Sequence, residues 1–267
     1  MSDISINRLL RSKMTQRIKQ FFVQIGELSH FAGRFFKEVL TPPYEFKELL
    51  RQCYHMGNRS LVLVGVTGFI IGLVLTLQSR PTLIEFGAVS WMPNMVGISI
   101  VREIGPVITA LICAGRIASG IGAELGSMRV TEQIDAMEVS GTNPFKYLVV
   151  TRILATTLMI PLLVVFGDLI ALYGSALVEN LKGQVSFQLY FNTVFDALGF
   201  GDLVPATVKS FFFGFVIGLV GCYKGYYCKK GTAGVGVAAN TAVVMASMLL
   251  FVGDFIAVFV SDIFYEL

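Results

Sequence analysis

Residues 60–79 read Ser-Leu-Val-Leu-Val-Gly-Val-Thr-Gly-Phe-Ile-Ile-Gly-Leu-Val-Leu-Thr-Leu-Gln-Ser, a run without one charge. A helix rises about 1.5 Å per residue, so about twenty apolar residues cross a hydrocarbon layer of about 30 Å. This run has that length, and similar stretches follow it. Composition agrees: of 267 residues, 54% are hydrophobic and 15% charged, and the mean hydropathy is +0.70. Soluble domains carry about a quarter charged residues. A single integral membrane domain of several helices is expected. The net charge of +3 is modest, and no nucleic-acid partner is expected. The start is polar and no A-x-A site follows a short apolar core, so no cleaved signal is read there.

Working outward, residues 8–39 place apolar side chains at Leu10, Met14, Ile18, Phe21, Ile25, Leu28, Ala32, Phe35 and Val39. Steps of three and four make one helical stripe, with Arg11, Lys13, Arg17 and Lys19 on the other face. Two readings fit: a helix lying in the headgroup plane, or a soluble helix packed on a partner. Pro42-Pro43 stops it. Spans are expected at about 57–79, 92–123, 153–178, 203–223 and 233–262. Arg80-Pro81-Thr82 reads as a turn and residues 179–202 as a polar loop. Span two carries small residues, including Gly105, Ala110, Gly115 and Gly122, suited to close helix contact.

Lys and Arg concentrate in the segment before Ser60, in the connection 116–152 and in the connection 224–230. With five spans these all fall on one face, so a cytoplasmic N-terminus and an outer C-terminus are expected. Cys53, Cys113, Cys222 and Cys228 lack zinc-ligand spacing, so reduced structural cysteines and no metal site are expected. The only histidines are His30 and His55, and neither a G-x-S-x-G elbow nor H-E-x-x-H is present. No catalytic residue is assigned.

Residues 124–144 form an acidic connection between spans two and three. Thr131 reads as an N-cap, Glu132 and Asp135 fall in the first turn, and Gly141 and Pro144 suit the stop. Ile134, Met137 and Glu138 share one face, with Met137 exposed. Such a helix is either a solvated connector or a docking surface for a cytoplasmic partner.

One ordered string runs from Arg102-Glu103-Ile104-Gly105-Pro106-Val107 through Ala114-Gly115-Arg116 and Gly122-Ala123-Glu124-Leu125-Gly126 to Met128-Arg129-Val130-Thr131-Glu132-Gln133-Ile134-Asp135-Ala136-Met137. It resembles the MlaE/YrbE family of ABC-transporter permeases, and the likeness covers nearly the whole chain. The resemblance implies an all-α polytopic membrane protein: an N-terminal interfacial segment over 1–56, then a permease domain over 57–267. It implies a homodimer in which a coupling helix at about 131–140 docks on a cytoplasmic ABC ATPase through Thr131, Glu132, Gln133, Asp135, Met137 and Glu138. The chain has no Gly-Lys dipeptide and so no phosphate loop. ATP and Mg would sit on that partner, with no cofactor in this chain. The resemblance also implies a periplasmic MCE-domain protein and transport of phospholipid, or a similar amphiphile, at the inner membrane. Its lipid cavity would be bordered by Leu73, Leu77, Gln78, Arg102 and Glu103.

For Arg102-Glu103 two readings stand. Either span two starts late and the pair sits at the outer interface, or both edge a cavity between protomers. There Arg102 would hold a headgroup phosphate, and Glu103 would pair with Arg102 or with an amine. Asp168, Lys209 and Asp254 read as interface positions or structural pairs. The alternative function is a proton-coupled secondary transporter of a small amphiphile. Such folds show paired repeats with broken helices, and no repeat is seen here.

Overall fold

The computed structural model describes residues 23–183, 185–229 and 231–265. It divides into two compact units at Tyr44/Glu45. In the first, helix α1 spans 23–39 and buries Phe31 and Phe35, four residues apart on one face. Residues 8–22 of the expected stripe lie outside the described residues.

The second unit holds α2 (Phe46–Glu85), α3 (Met92–Ser99), α4 (Gly105–Cys113), α5 (Ser119–Val130), α6 (Gln133–Val139), α7 (Thr151–Gly183), α8 (Phe187–Ala197), α9 (Phe200–Tyr226) and α10 (Thr232–Tyr265). Every regular element among the described residues is helical. Wider π-helical turns at Ile100–Ile104 and Ala114–Ala118 join α3, α4 and α5 into one long rod, and another at Phe145–Val150 leads into α7. Five stretches are long and apolar enough to cross a membrane: Phe46–Glu85, Val89–Val130, Phe145–Gly183, Phe200–Tyr226 and Thr232–Ser261. The chain is an all-α polytopic membrane protein.

Two local expectations are corrected. Arg80-Pro81-Thr82 is not a turn, because α2 runs through Pro81 to Glu85. Proline is tolerated in membrane helices when neighbours supply the missing polar contacts. Separately, the Arg80 guanidinium donates to Glu179 Oε1 (2.5 Å) and to the Lys182 carbonyl (3.0 Å), tying the end of α2 to α7. The segment 179–202 is not simply a loop. α7 continues to Gly183, and α8 follows with Tyr190 and Val194 buried four residues apart. Ser186 starts α8 as an N-cap, accepting from the Leu189 N–H. Helix α2 also runs through the boundary expected at 56/57.

The core seam is α2 against α7. The buried face of α2 includes Met56, Ser60, Val64, Gly68, Gly72 and Thr76, in steps of four. Small residues at that spacing let two backbones close in. A Cβ on Gly68 would lie 2.7 Å from the Gly167 carbonyl oxygen, and one on Gly72 would lie 1.8 Å from that of Ala171. Side chains continue the register: Thr76 meets Ser175, and Arg80 meets Glu179. The two helices are therefore parallel, as spans one and three of an alternating bundle must be. Gly214 against Thr156 and Gly218 against Ile153 make α9 antiparallel to α7.

Beside the seam a buried hydroxyl chain locks α8 down. Tyr190 donates to Ser175 (2.6 Å), Ser175 bonds Thr76 (2.6 Å), and Thr76 donates to the Gly72 carbonyl (2.8 Å). Burial pushes the Tyr190 phenol up to about 12, so it stays a donor. Tyr190→Phe is expected to cost about 1 kcal/mol, because Ser175 loses a buried partner. Thermal melting in detergent checks this, and an unchanged midpoint would count against the chain.

Candidate functional site

Two places gather the residues that the sequence singles out. The first is α6. Helix α5 ends at Val130, and the Thr131 hydroxyl donates backwards to the Ser127 carbonyl (2.9 Å). Thr131 therefore closes α5 and does not cap α6, a correction to the expected N-cap. The chain reverses at Glu132, whose φ of 60° is left-handed. The stop is as expected: Gly141, at φ 80°, donates to Glu138 O (3.0 Å) and Thr142 to Met137 O (3.1 Å). That pair of bonds is a Schellman ending, which needs the positive φ that glycine supplies.

Two contacts anchor α6. Ile134 is 1% exposed, and Asp135 Oδ1 accepts from Arg129 Nη1 at 2.5 Å. Glu132, Gln133 and Glu138 stay exposed. Met137, expected to be exposed, is half-buried, and Val139 at 90% is the apolar residue that points out. Thus Asp135 holds the helix in place, while Glu132, Gln133 and Glu138 present its polar face.

The second place is around Arg102 and Glu103, in the π-helical turn Ile100–Ile104. Pro106 follows closely and has no N–H to give, which favours a wider turn there. Packing against neighbouring helices places this pair in the bundle. A Cβ on Gly105 would strike Asp168, and the next residue in α7, Gly167, touches Gly68 near the middle of the charge-free run 60–79. Span two begins about ten residues earlier, at Val89–Met92. The pair therefore sits about ten residues inside one continuous helical stretch and not at its start.

The charges there are matched, though not to each other. Lys209 Nζ, on α9 and 5% exposed, donates to Glu103 Oε2 (2.6 Å) and to Asp254 Oδ1 of α10 (3.0 Å). Glu103 does not pair with Arg102. Arg102 Nη1 lies 3.9 Å from Asp202 Oδ1 at the start of α9. Spans two, four and five are thus joined by one lysine between two carboxyl groups. The Glu103 side chain is 40% exposed, so one flank of the cluster stays open. Lys209 and Asp254 are structural pairs, one of the two expected readings. Asp168 is buried, and its Oδ1 has no hydrogen-bond partner among the described residues. Their separation by 106 and 45 residues hides the Lys209 contacts from sequence reading. The available signal was each charge standing alone in an apolar span.

Of the α2 residues assigned to a cavity, Leu77 and Gln78 are exposed and Leu73 is half-buried. They lie toward the Arg80 end of α2, away from the buried stripe.

Comparison with known proteins agrees with this architecture. The family described as Permease MlaE matches residues 49–260. A probable ABC transporter permease protein of Rickettsia felis is 35% identical over 96% of this chain and 98% of its own length. One of Synechocystis is 32% identical over 88% of this chain and 89% of its own. The chloroplastic protein TRIGALACTOSYLDIACYLGLYCEROL 1 of Arabidopsis thaliana, whose name is that of a glycolipid, is 30% identical over 88% of this chain and 66% of its own length. A helical bundle with five spans and a family match across nearly all of it lead to one conclusion: this chain belongs to the MlaE family of ABC-transporter permeases.

Proposed function

We propose that the chain is the membrane subunit of an ABC transporter for phospholipid, or a similar amphiphilic lipid. It would move lipid between the inner membrane and a periplasmic MCE-domain carrier. ATP and Mg belong to a separate cytoplasmic ATPase docked on α6, and two copies of this chain form the conduit. The N-terminus is then cytoplasmic and the C-terminus periplasmic. The names of the relatives support an ATPase partner and, in the Arabidopsis protein, a lipid connection.

The observation that carries the reading is the anchoring of α6. A seven-residue helix is too short to hold itself in water. Ile134 and Asp135 fasten it to the bundle, which leaves Glu132, Gln133 and Glu138 free to meet a partner. At the other end, Leu77, Gln78 and the open flank of Glu103 supply an apolar wall and polar groups for a lipid. Lysine-bound Glu103 repels phosphate less than a free carboxylate would, and Arg102 is the cation that meets it.

Glu138→Cys, with Cys53 and Cys228 changed to Ser, is expected to cross-link to a co-purified nucleotide-hydrolysing subunit. Val237→Cys, 62% exposed on α10, is the control. Equal cross-linking at both positions, or none at 138 in a complex that hydrolyses ATP, would remove α6 from the contact.

A further inference from the structure

A groove of about 440 Å³ lies between α2 and the α4–α5 rod, at the end of the bundle that carries α6. Its walls include His55, Arg59 and Ser60 of α2 and Arg116, Gly120 and Glu124 of span two. We infer that this groove binds a phosphate group, that of a phospholipid headgroup in the leaflet at this end. The choice of a lipid as the source rests on the transport reading above; the phosphate chemistry does not.

Charge points to an anion. Arg59 and Arg116 are permanently positive, and His55 adds a third nitrogen donor. None of the three side chains makes a hydrogen bond or ion pair within the described residues. The one carboxylate in the wall is committed elsewhere: Glu124 Oε1 accepts from Arg152 Nη2 at 2.7 Å.

Depth points to a headgroup. Arg59 immediately precedes the charge-free run 60–79, and Arg116 immediately follows the charge-free run 104–115. Both guanidinium groups stand at the boundary between apolar and polar sequence. Lipid phosphates lie at that level, and arginine stems reach toward it.

Ser60 is the independent sign. It is 1% exposed and lines the groove, yet its Oγ has no hydrogen-bond partner among the described residues. Thr67 and Thr76 on the same helix donate to the carbonyl four residues back, at 2.7 and 2.8 Å. Ser60 leaves that bond unmade, and a buried hydroxyl without a partner costs stability. A phosphate oxygen between the arginines would satisfy it. There is room as well, since a Cβ on Gly120 would meet nothing within 4 Å. The π-helical turn Ala114–Ala118 carries Arg116, and such turns recur where a helix re-aims a functional side chain.

The test uses the full transporter in detergent, with an environment-sensitive dye on Gly120→Cys and Cys53 and Cys228 changed to Ser. Dihexanoyl phosphatidylglycerol is titrated against two controls, inorganic phosphate and uncharged dihexanoylglycerol. We expect a saturable response to the phospholipid and none to dihexanoylglycerol. Inorganic phosphate should need at least a hundredfold higher concentration. Arg59→Gln with Arg116→Gln should weaken phospholipid binding at least tenfold, the Lys pair should recover part of it, and Ser60→Ala should weaken it about threefold. Elution volume on size exclusion confirms folding of each variant. An equal response to dihexanoylglycerol, or undiminished binding in the Gln pair, overturns the site. Phosphate binding as tightly as the lipid overturns the headgroup and identifies a free anion. Disulfide-linked dimers of Gly120→Cys would place a second copy in the groove and also overturn it. Cross-linking at Glu138 reports on the transporter reading separately.

Discussion

Lys209→Met is expected to destabilise the bundle by about 3–5 kcal/mol, the range for removing one partner of a buried ion pair. The lysine is 5% exposed and is the only group bridging Glu103 on span two to Asp254 on span five among the described contacts. Without it, two carboxylates that shared one ammonium face each other in a poorly solvated place. The combined variant Glu103→Gln, Lys209→Met, Asp254→Asn removes every charge and should recover most of the loss. Thermal unfolding of the purified protein decides. A single variant within about 1 kcal/mol of the parent, or a triple variant no better than the single, would show that the cluster does not hold the spans together.

The second large effect is expected at Gly72. Gly72→Ala should cost about 3 kcal/mol, the upper end for overpacking, because the obstacle is backbone. The new methyl would sit 1.8 Å from the Ala171 carbonyl oxygen, so α2 and α7 must separate. Separation also stretches the Thr76–Ser175 and Arg80–Glu179 bonds, which lie on the same register. Gly236→Ala on α10 is the matched control, since a Cβ there meets nothing within 4 Å. Helix propensity alone should then make the control neutral or stabilising by up to about 1 kcal/mol. Equal melting shifts for the two variants would mean that α2 and α7 do not approach as described.

These two predictions mark where sequence reading stopped. Lys209 was legible as an isolated charge inside an apolar stretch, but its partners lie on two other helices. For Glu103 the only partner visible along the chain is its neighbour Arg102, and the structure instead gives the two different partners on α9, Lys209 for Glu103 and Asp202 for Arg102. Thr131 shows the same limit on a smaller scale. Its type suits an N-cap, and the adjoining acids suit a first turn, yet its hydroxyl serves the helix before it. Residues 179–202 looked polar enough for a loop, because the few buried positions of α8, Tyr190 and Val194, matter only once α7 and α3 lie beneath them.

By itself the order of residues determined that this is a membrane bundle. It also supplied the places of its five spans, the acidic rod between spans two and three, and the Gly141 stop. Those are local properties: apolar length, helical period and the φ that a residue tolerates. Only the tertiary structure decided which charges are matched, which helices Arg102 and Glu103 meet, and which face of α2 is buried. Those depend on the rotation and register of one helix against another, set by where glycines let two backbones meet, and no single helix encodes that.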